Sequence, residues 1–472
     1  MTQSQTSLSQ TELENQLKAI VGDDKVKTDP DSLETFGKDW TKIYPPNPSA
    51  IVFPKTTEQV QAIVKFANEH QVALVPSGGR TGLSAGAVAA NGEVVVAFDY
   101  MNSISGFNAM DKTVRCGAGV ITEQLQNYAE EQGLFYPVDF ASAGSSQIGG
   151  NIGTNAGGIK VIRYGMTRDW VAGLTVVTGK GDILELNKDL VKNNTGYDMR
   201  QLFIGGEGTL GFVTEATMRL TRPAKNLTVL VLGVPEFEAI MSVLNTFQTN
   251  IDLTAFEFFS DKAMRKVVAR GDVPAPFETE AEYYALLEFE AETEGHIDQA
   301  MELFEKCMEE GWVLDGVMSQ SETQAQNLWR LREDISETIA EWTPYKNDIS
   351  VVVSKVPPFL NEIEEVVTRE YPDFEIIWFG HIGDGNLHLN ILKPDALAKE
   401  VFFEQCAKVS TWVFEIVEKY NGSVSAEHGV GMTKKPYLEY TRSAAEIGYM
   451  RAVKAAFDPN NIMNPGKLID ME

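Results

Sequence analysis

The sequence predicts an α+β protein of two or three domains, on three observations. The first half alternates short apolar strands with amphipathic helices. From about residue 226 the strands lengthen and single helices separate them, the texture of a sheet with helices on one face. The last 50 residues end in a helical segment and a turn-rich stop, and 472 residues exceed what one core usually organises. The expected bounds are 1–222, 223–422 and 423–472.

The elements follow in order. Residues 1–45 carry a helical pattern over Glu12 to Val21 and a second short stretch from Ser32. AIVFP reads as a strand, TTEQVQAIVKFANEH as a Thr-capped helix and VALVP as a buried strand. VVVAFDYM is a further strand, and TVRCGAGV with ITEQLQNYAEEQG repeats the strand–helix rhythm. GLTVVTGKGDILELN is a hairpin turning at Gly179–Lys180–Gly181. In the second half LTVLVLGV, LTAFEFFS, YYALLEFEA, WVLDGVMS, VVVSK and EIIWFGHIG are strands. Helices are expected near Phe237 to Gln248, Gly295 to Gly311, Thr323 to Glu341 and Pro357 to Tyr371, over VFFEQCAKVSTWVFEIVEKYNG, and over AEIGYMRAVKAAF.

Composition narrows the function. The formal net charge of −27 argues against nucleic-acid binding and against docking on anionic lipid, both of which need a basic face. No apolar run reaches the roughly 20 residues of a membrane span. The polar N-terminus has no apolar signal core and no Arg-rich transit character, so a cytoplasmic location is expected. Cys116, Cys307 and Cys406 are odd in number and far apart, which implies neither a disulfide framework nor an iron–sulfur relay.

Three glycine-rich runs in the first half need a reason. Glycine lets backbone N–H groups approach an anion closely. SGGRTGLSAGA follows a strand, where a phosphate nest forms; GGNIGTNAGG supplies a second wall. The third run, GEGTLG at Gly206, Gly208 and Gly211, fits GxGxxG but precedes FVTEATMRL, which reads as a strand. A nicotinamide-binding Rossmann fingerprint must open a helix, so that reading is rejected.

The chain has five histidines, and three lie in two short motifs: His381 and His388 in GHIGDGNLHLN, and His428 in SAEHGVG directly after Glu427. Two imidazoles and a carboxylate are a usual ligand set for a catalytic zinc, and a third imidazole beside them suits a general base. Asp384 and Asn386 stand between the first two histidines, placed to orient them. Structural turn and strand hydrogen bonds are the competing explanation. His/carboxylate sites do not select by affinity, so cobalt and manganese stay open beside zinc.

Together, PSGGRTGLSAGA, ASAGSSQIGGNIGTNAGGIKVIRYG, IGGEGTLGFVTEA, GHIGDGNLH, SAEHGVG and DPNNIMNPGKL resemble the flavin-dependent 2-hydroxyacid dehydrogenases of the vanillyl-alcohol-oxidase-type FAD superfamily, in order from about residue 30. The resemblance implies a two-part FAD-binding domain, a substrate (cap) domain with an antiparallel sheet, and a C-terminal segment returning to the flavin. By motif match, Pro76, Ser77, Gly78, Gly79, Arg80, Thr81, Gly82, Leu83 and Ser84 hold the FAD pyrophosphate. Ser142, Gly149, Gly150, Asn151, Gly153, Thr154, Asn155, Gly157 and Gly158 line the cofactor's other side; Arg163, Tyr164, Gly165, Glu207, Gly208, Gly211 and Asn464 complete it. Some superfamily members attach FAD through a histidine in the first run; this chain has Arg80 there and no His between residues 71 and 295, so FAD is expected to be non-covalent.

The resemblance also makes His381, His388 and Glu427 the ligands of a divalent metal, zinc by preference, and His428 the base that takes the 2-hydroxyl proton as C2–H leaves to flavin N5. Arg332, Ser336, Lys346 and Asn390 match residues that hold a substrate with a distal carboxylate, D-2-hydroxyglutarate or D-malate. Arg332, with Arg330, is read as lying near a helix start; a solvated helix face is the competing reading. D-Lactate or glycolate oxidation would leave two cations unpaired, and a non-catalytic FAD relay subunit or a metallohydrolase are further rivals. Electrons are expected to pass to an electron-transfer flavoprotein or a quinone, and a homodimer is the base-rate expectation.

Overall fold

Short β-branched runs flanked by glycine and polar turns form strands, and sixteen are present in the computed structural model, which describes residues 8–41 and 43–471. The start of the N-terminal stretch, residues 1–7, lies outside the described residues. Contacts divide the chain into two units. The first takes the chain up to Gly157, Met166–Pro223, and everything from Glu427 onward; the second takes Gly158–Gly165 and Ala224–Ala426.

The first unit has two sheets. In one, β1 (Val26–Lys27), β2 (Ala50–Val52), β3 (Leu74–Ser77) and β4 (Val94–Ala97) run in the order β1-β2-β4-β3, with β2 and β3 parallel to β4. Parallel pairing requires a crossover, and the helix Thr57–His70 supplies it, its Thr56 side chain accepting from Gln59 N. Its apolar face (Val60, Ile63, Val64, Ala67) packs with Leu13 and Leu17 of the helix Gln10–Val21 over this sheet. Each buried valine, isoleucine or leucine side chain among them contributes about 1.5–3 kcal/mol. The other sheet is antiparallel: β5 (Ile104–Asn108), β6 (Thr113–Gly117), β7 (Val171–Thr178), β8 (Ile183–Leu186) and β9 (Gly211–Arg219), in the order β5-β6-β9-β7-β8. The β7–β8 hairpin turns where Gly179–Lys180–Gly181 predicted. GEGTLG leads into β9 rather than a helix, as the rejection of a Rossmann site required.

The second unit is built on one antiparallel seven-stranded sheet: β10 (Leu227–Val234), β11 (Leu253–Ser260), β12 (Tyr283–Glu290), β13 (Asp315–Met318), β14 (Tyr345–Ser350), β15 (Ile376–Gly380) and β16 (Asn386–Ile391), in the order β13-β10-β12-β11-β15-β16-β14. Three readings are corrected here. The helix expected over Thr323 to Glu341 breaks into Glu322–Glu333, a short turn Ile335–Thr338 and a 3-10 turn Ile339–Trp342. Arg330 and Arg332 therefore stand in the last turn of a helix, not near its start. The strand expected at VVVSK lies earlier, at Tyr345–Ser350; Val353–Lys355 is a 3-10 turn. Apolar content drew the reading to VVV, whereas pairing with β16 places YKNDIS in the sheet. No helix of the described residues is long and apolar enough to cross a membrane.

Candidate active site

Cross-strand partners share a sheet face and alternate residues return to it. In the second unit Lys346 pairs with Asn390 and Asp348 with His388. Asn390 in turn faces Ile377, and His388 faces Phe379. Phe259 of β11 is opposite Phe379, so Glu257, two residues earlier, lies on the same face. Strand pairing thus gathers residues up to 133 positions apart. His381 follows β15 directly, and its ring meets that of His388 edge-on, centroids 5.3 Å apart. Each offers a ring nitrogen within 4.8 Å of one on the other.

Two acids back the histidine pair. His381 Nδ1 is 2.8 Å from Glu257 Oε1 in a buried contact. With Nδ1–H donating to the carboxylate, Nε2 is presented as a ligand, the arrangement that orients metal-binding histidines. Asp348 Oδ1 is 3.7 Å from His388 Nδ1 and accepts from Asn386 Nδ2 at 2.9 Å. Asn386 therefore acts on His388 through Asp348, while Asp384 Oδ1 accepts Asn386 N and shapes the turn.

Arg332 is 5% exposed, with its guanidinium 4.7 Å from the Phe379 ring centre. Its Nη2 lies 2.8 Å from Glu257 Oε2. The distance is that of an ion pair, but the angle is not that of a hydrogen bond: among the described residues Nε and Nη2 have no acceptor. Those two N–H groups form the edge that pairs bidentately with a carboxylate. Arg330 is different, spent on Asp272 and Asp334 at the surface. Burial lowers the Lys346 pKa, and no acid among the described residues pairs with it. Ser336 is half-buried in the turn Ile335–Thr338, and Asn390 is buried, its Nδ2 donating to His388 O. Glu427 and His428 are half-buried in a loop that opens the last part of the first unit.

In the first unit the glycine-rich runs sort into two kinds. Some glycines are filled by protein: a Cβ at Gly79 would stand 2.2 Å from Ser145 O, at Gly149 2.7 Å from Ala118 Cβ, at Gly208 2.7 Å from Pro76 Cγ, and at Gly211 2.4 Å from Val177 O. Gly150 and Gly153 meet nothing within 4 Å. Close to them, Gly78 lies against Gln147, and among the described residues Ser77 Oγ and Gln147 Oε1 are buried without partners. A cradle of bare glycine and unpaired polar atoms fits a phosphate-bearing cofactor. Ser77 was expected there; Gln147 was missed, although it sits between the small residues of the second run.

Other expected cofactor residues have protein partners. Arg80 pairs with Asp99, Asn151 Nδ2 donates to Thr122 Oγ1 at 2.7 Å, and Thr154 Oγ1 donates to Gly150 O. Asn155 is left-handed and accepts from Arg168 N. Gly158, Arg163, Tyr164 and Gly165 belong to the second unit, where Arg163 reaches Glu290. Both carboxylate oxygens of Glu207 accept backbone N–H groups, from Val430 at 2.7 Å and Gly431 at 2.8 Å. Burial raises its pKa to about 7, against the lowering effect of those two bonds. Asn464 Nδ2 donates to Gly86 O and Glu207 O, each at 2.8 Å.

A family model described as FAD binding domain matches residues 48–187, and one described as FAD linked oxidases, C-terminal domain, matches residues 223–468. The D-2-hydroxyglutarate dehydrogenase of Stutzerimonas stutzeri is 72% identical over 454 residues, 96% of this chain and 98% of the relative. That of Xanthomonas citri pv. viticola is 54% identical over 446 residues, 94% of each. A solved 4-ethylphenol oxidase from Gulosibacter chungangensis shares the fold, with a TM-score of 0.77 at 16% identity, covering 99% of this chain and 98% of its own. Fold and matched domains define an FAD-linked oxidoreductase with the α+β, vanillyl-alcohol-oxidase-type architecture that the sequence predicted. The chain belongs to the family of FAD-linked D-2-hydroxyglutarate dehydrogenases.

Proposed function

We propose that this chain oxidises D-2-hydroxyglutarate, and D-malate as well, to the 2-oxo acid. One observation carries the choice of a dicarboxylate. Lys346, a partly buried cation with no acid partner among the described residues, shares a sheet face with the histidine pair and with Phe379, over which the buried Arg332 presents two N–H groups that no acceptor takes in hydrogen-bond geometry. An uncompensated buried charge is costly, and a ligand carboxylate removes that cost. Arg332 and Lys346 hold the distal carboxylate, with Ser336 and Asn390 completing the polar contacts. D-Lactate and glycolate leave Lys346 without an acid and the Arg332 N–H edge without an acceptor, which disfavours the rival reading.

FAD, held non-covalently by the first unit's glycine runs, supplies the hydride acceptor. His381, His388 and Glu427 would hold a divalent metal, zinc by donor type, which would supply a Lewis acid to the substrate's 2-hydroxyl. Glu257 on His381 Nδ1 and Asp348 beside His388 support that assignment, and Glu427 stands one residue beyond the end of the second unit. His428 takes the hydroxyl proton, since an imidazole titrates near working pH. Electrons then leave to an electron-transfer flavoprotein or a quinone; all three cysteines are buried, in keeping with an external acceptor rather than a thiol relay. We place the reaction in the cytoplasm, with a homodimer as the assembly.

The test is an anaerobic flavin spectrum during titration with D-2-hydroxyglutarate, with D-lactate alongside. Bleaching by the dicarboxylate alone is expected. Bleaching by D-lactate alone would overturn the distal clamp, and bleaching by neither would overturn the substrate class.

A further inference from the structure

We propose that Glu207 is a positioning residue: its carboxylate ties down the loop that carries His428, and so fixes where the base stands relative to the glycine-rich cradle. This deepens the function proposed above and rests on His428 as the base. The motif match had placed Glu207 among the cofactor contacts, but each carboxylate oxygen is already engaged by a backbone N–H of the protein. Oε1 takes the N–H of Val430 and Oε2 that of Gly431, two and three residues past His428.

The same loop is gripped from its other side. Met432 N and Thr433 N both donate to Ser84 O, at 2.9 and 3.2 Å, in the first glycine-rich run. Gly431 is left-handed (φ +48°) and so close to that run that a Cβ would stand 2.1 Å from Ser84 O. Any side chain there would push the loop away, so Gly431 is where loop and cradle meet.

Glu207 itself is held on both sides of its peptide. Its N–H donates to Gly153 O at 2.8 Å, in the second glycine-rich run, and its carbonyl accepts from Asn464 Nδ2, which also reaches Gly86 O. It holds a left-handed conformation, φ +48°, that costs a non-glycine residue on the order of 1–3 kcal/mol. One residue thus joins both walls of the cradle to the His428 loop. A carboxylate suits the task because two consecutive N–H donors need two acceptors. Glutamine offers one oxygen and turns an N–H toward the second donor, and aspartate is a methylene short.

The test uses the FAD-loaded enzyme and its Glu207→Gln and Glu207→Ala variants. Hydrogen exchange over residues 425–434 should speed up at least tenfold in both, with FAD content unchanged. Anaerobic flavin reduction by D-2-hydroxyglutarate should slow about 10–100-fold per bound flavin, the penalty of a roughly 1 Å misplacement of a reacting group. Unchanged exchange overturns the tether. Faster exchange with an undiminished per-flavin rate overturns the positioning role. Lost flavin, with an unchanged rate on what remains, overturns it in favour of a purely structural or cofactor-holding Glu207. Wild-type enzyme that no 2-hydroxy acid reduces would sink the proposed function instead, and the exchange arm still decides the tether.

Discussion

On the proposed function, the two units would meet their ligands with different parts of the chain. The first would work mainly with backbone: bare glycine at 150 and 153, a left-handed Glu207, and carbonyls that grip a loop, with the side chains of Ser77 and Gln147 beside them. The second works with side chains on one sheet face, where Glu257, Lys346, Asp348, His388 and Asn390 come from three strands. Backbone recognition tolerates little change in shape and much in chemistry; side-chain recognition is the reverse. Substitutions of matched size should therefore act on flavin retention in the first unit and on metal and substrate in the second.

The largest expected effect tests whether His428, carried by the backbone-gripping unit, does chemistry through its side chain. His428→Ala should slow flavin reduction by roughly 10²–10⁴-fold, the range of general base catalysis. Stopped-flow absorbance reads that rate, and FAD content should not change; a rate within threefold of wild type removes His428 from the proton transfer.

In the second unit, Lys346→Met should raise the KM for D-2-hydroxyglutarate about 10–100-fold, the loss of a charged contact of about 1.5–3 kcal/mol. The sign of the pH dependence follows from burial, which favours neutral Lys346 and lowers its pKa. The cation is present at low pH and lost as pH rises through that lowered value. The wild-type KM should climb below the ordinary lysine range, and the Met variant should show no such limb. A wild-type KM that stays flat to pH 10 would place Lys346 outside the substrate site.

Glu257→Gln keeps the volume but removes the charge behind His381. Zinc affinity, measured against a chelator of known strength, should fall about 10–100-fold, as when the acid behind a metal-binding histidine is lost. Equal affinities in wild type and variant would make Glu257 a partner of Arg332 alone.

The smallest effect separates shape from chemistry in the first unit. Gly150→Ala places a methyl where no protein atom lies within 4 Å. Flavin-free protein should melt as wild type, while FAD affinity falls about fivefold, on the order of 1 kcal/mol of overpacking against the cofactor. A variant that melts early without loss of FAD affinity would mean that Gly150 serves the fold instead.

This division also explains what the sequence could reveal. Glycine runs are contiguous, so the cradle was legible from SGGRTGLSAGA and GGNIGTNAGG, and scarcity exposed the histidines. Glu257 went unread because strand pairing, not spacing, brings it to His381 across 124 positions. Its one signal was a charge inside LTAFEFFS, a strand buried at every position. Arg332 was distinguished from Arg330 only by resemblance; burial makes the distinction physical, since the two lie on different sides of one helix turn. Glu207 was read as a cofactor contact by resemblance, and the backbone N–H groups that its carboxylate accepts lie more than 220 residues away, where no spacing pattern could show them.

The order in which the chain is made has a consequence for the first unit. Its part from Glu427 onward is made after the whole of the second unit, and Asn464 N, which donates to Leu74 O, comes later still. Lys454, bonded to Thr209 O, Asp458 and Met463 O, arrives equally late. The second unit, by contrast, is complete by Ala426. Domains generally fold as units during synthesis, so here the later-starting unit is complete first, and the first unit waits for the segment from Glu427 onward before its own contacts can form.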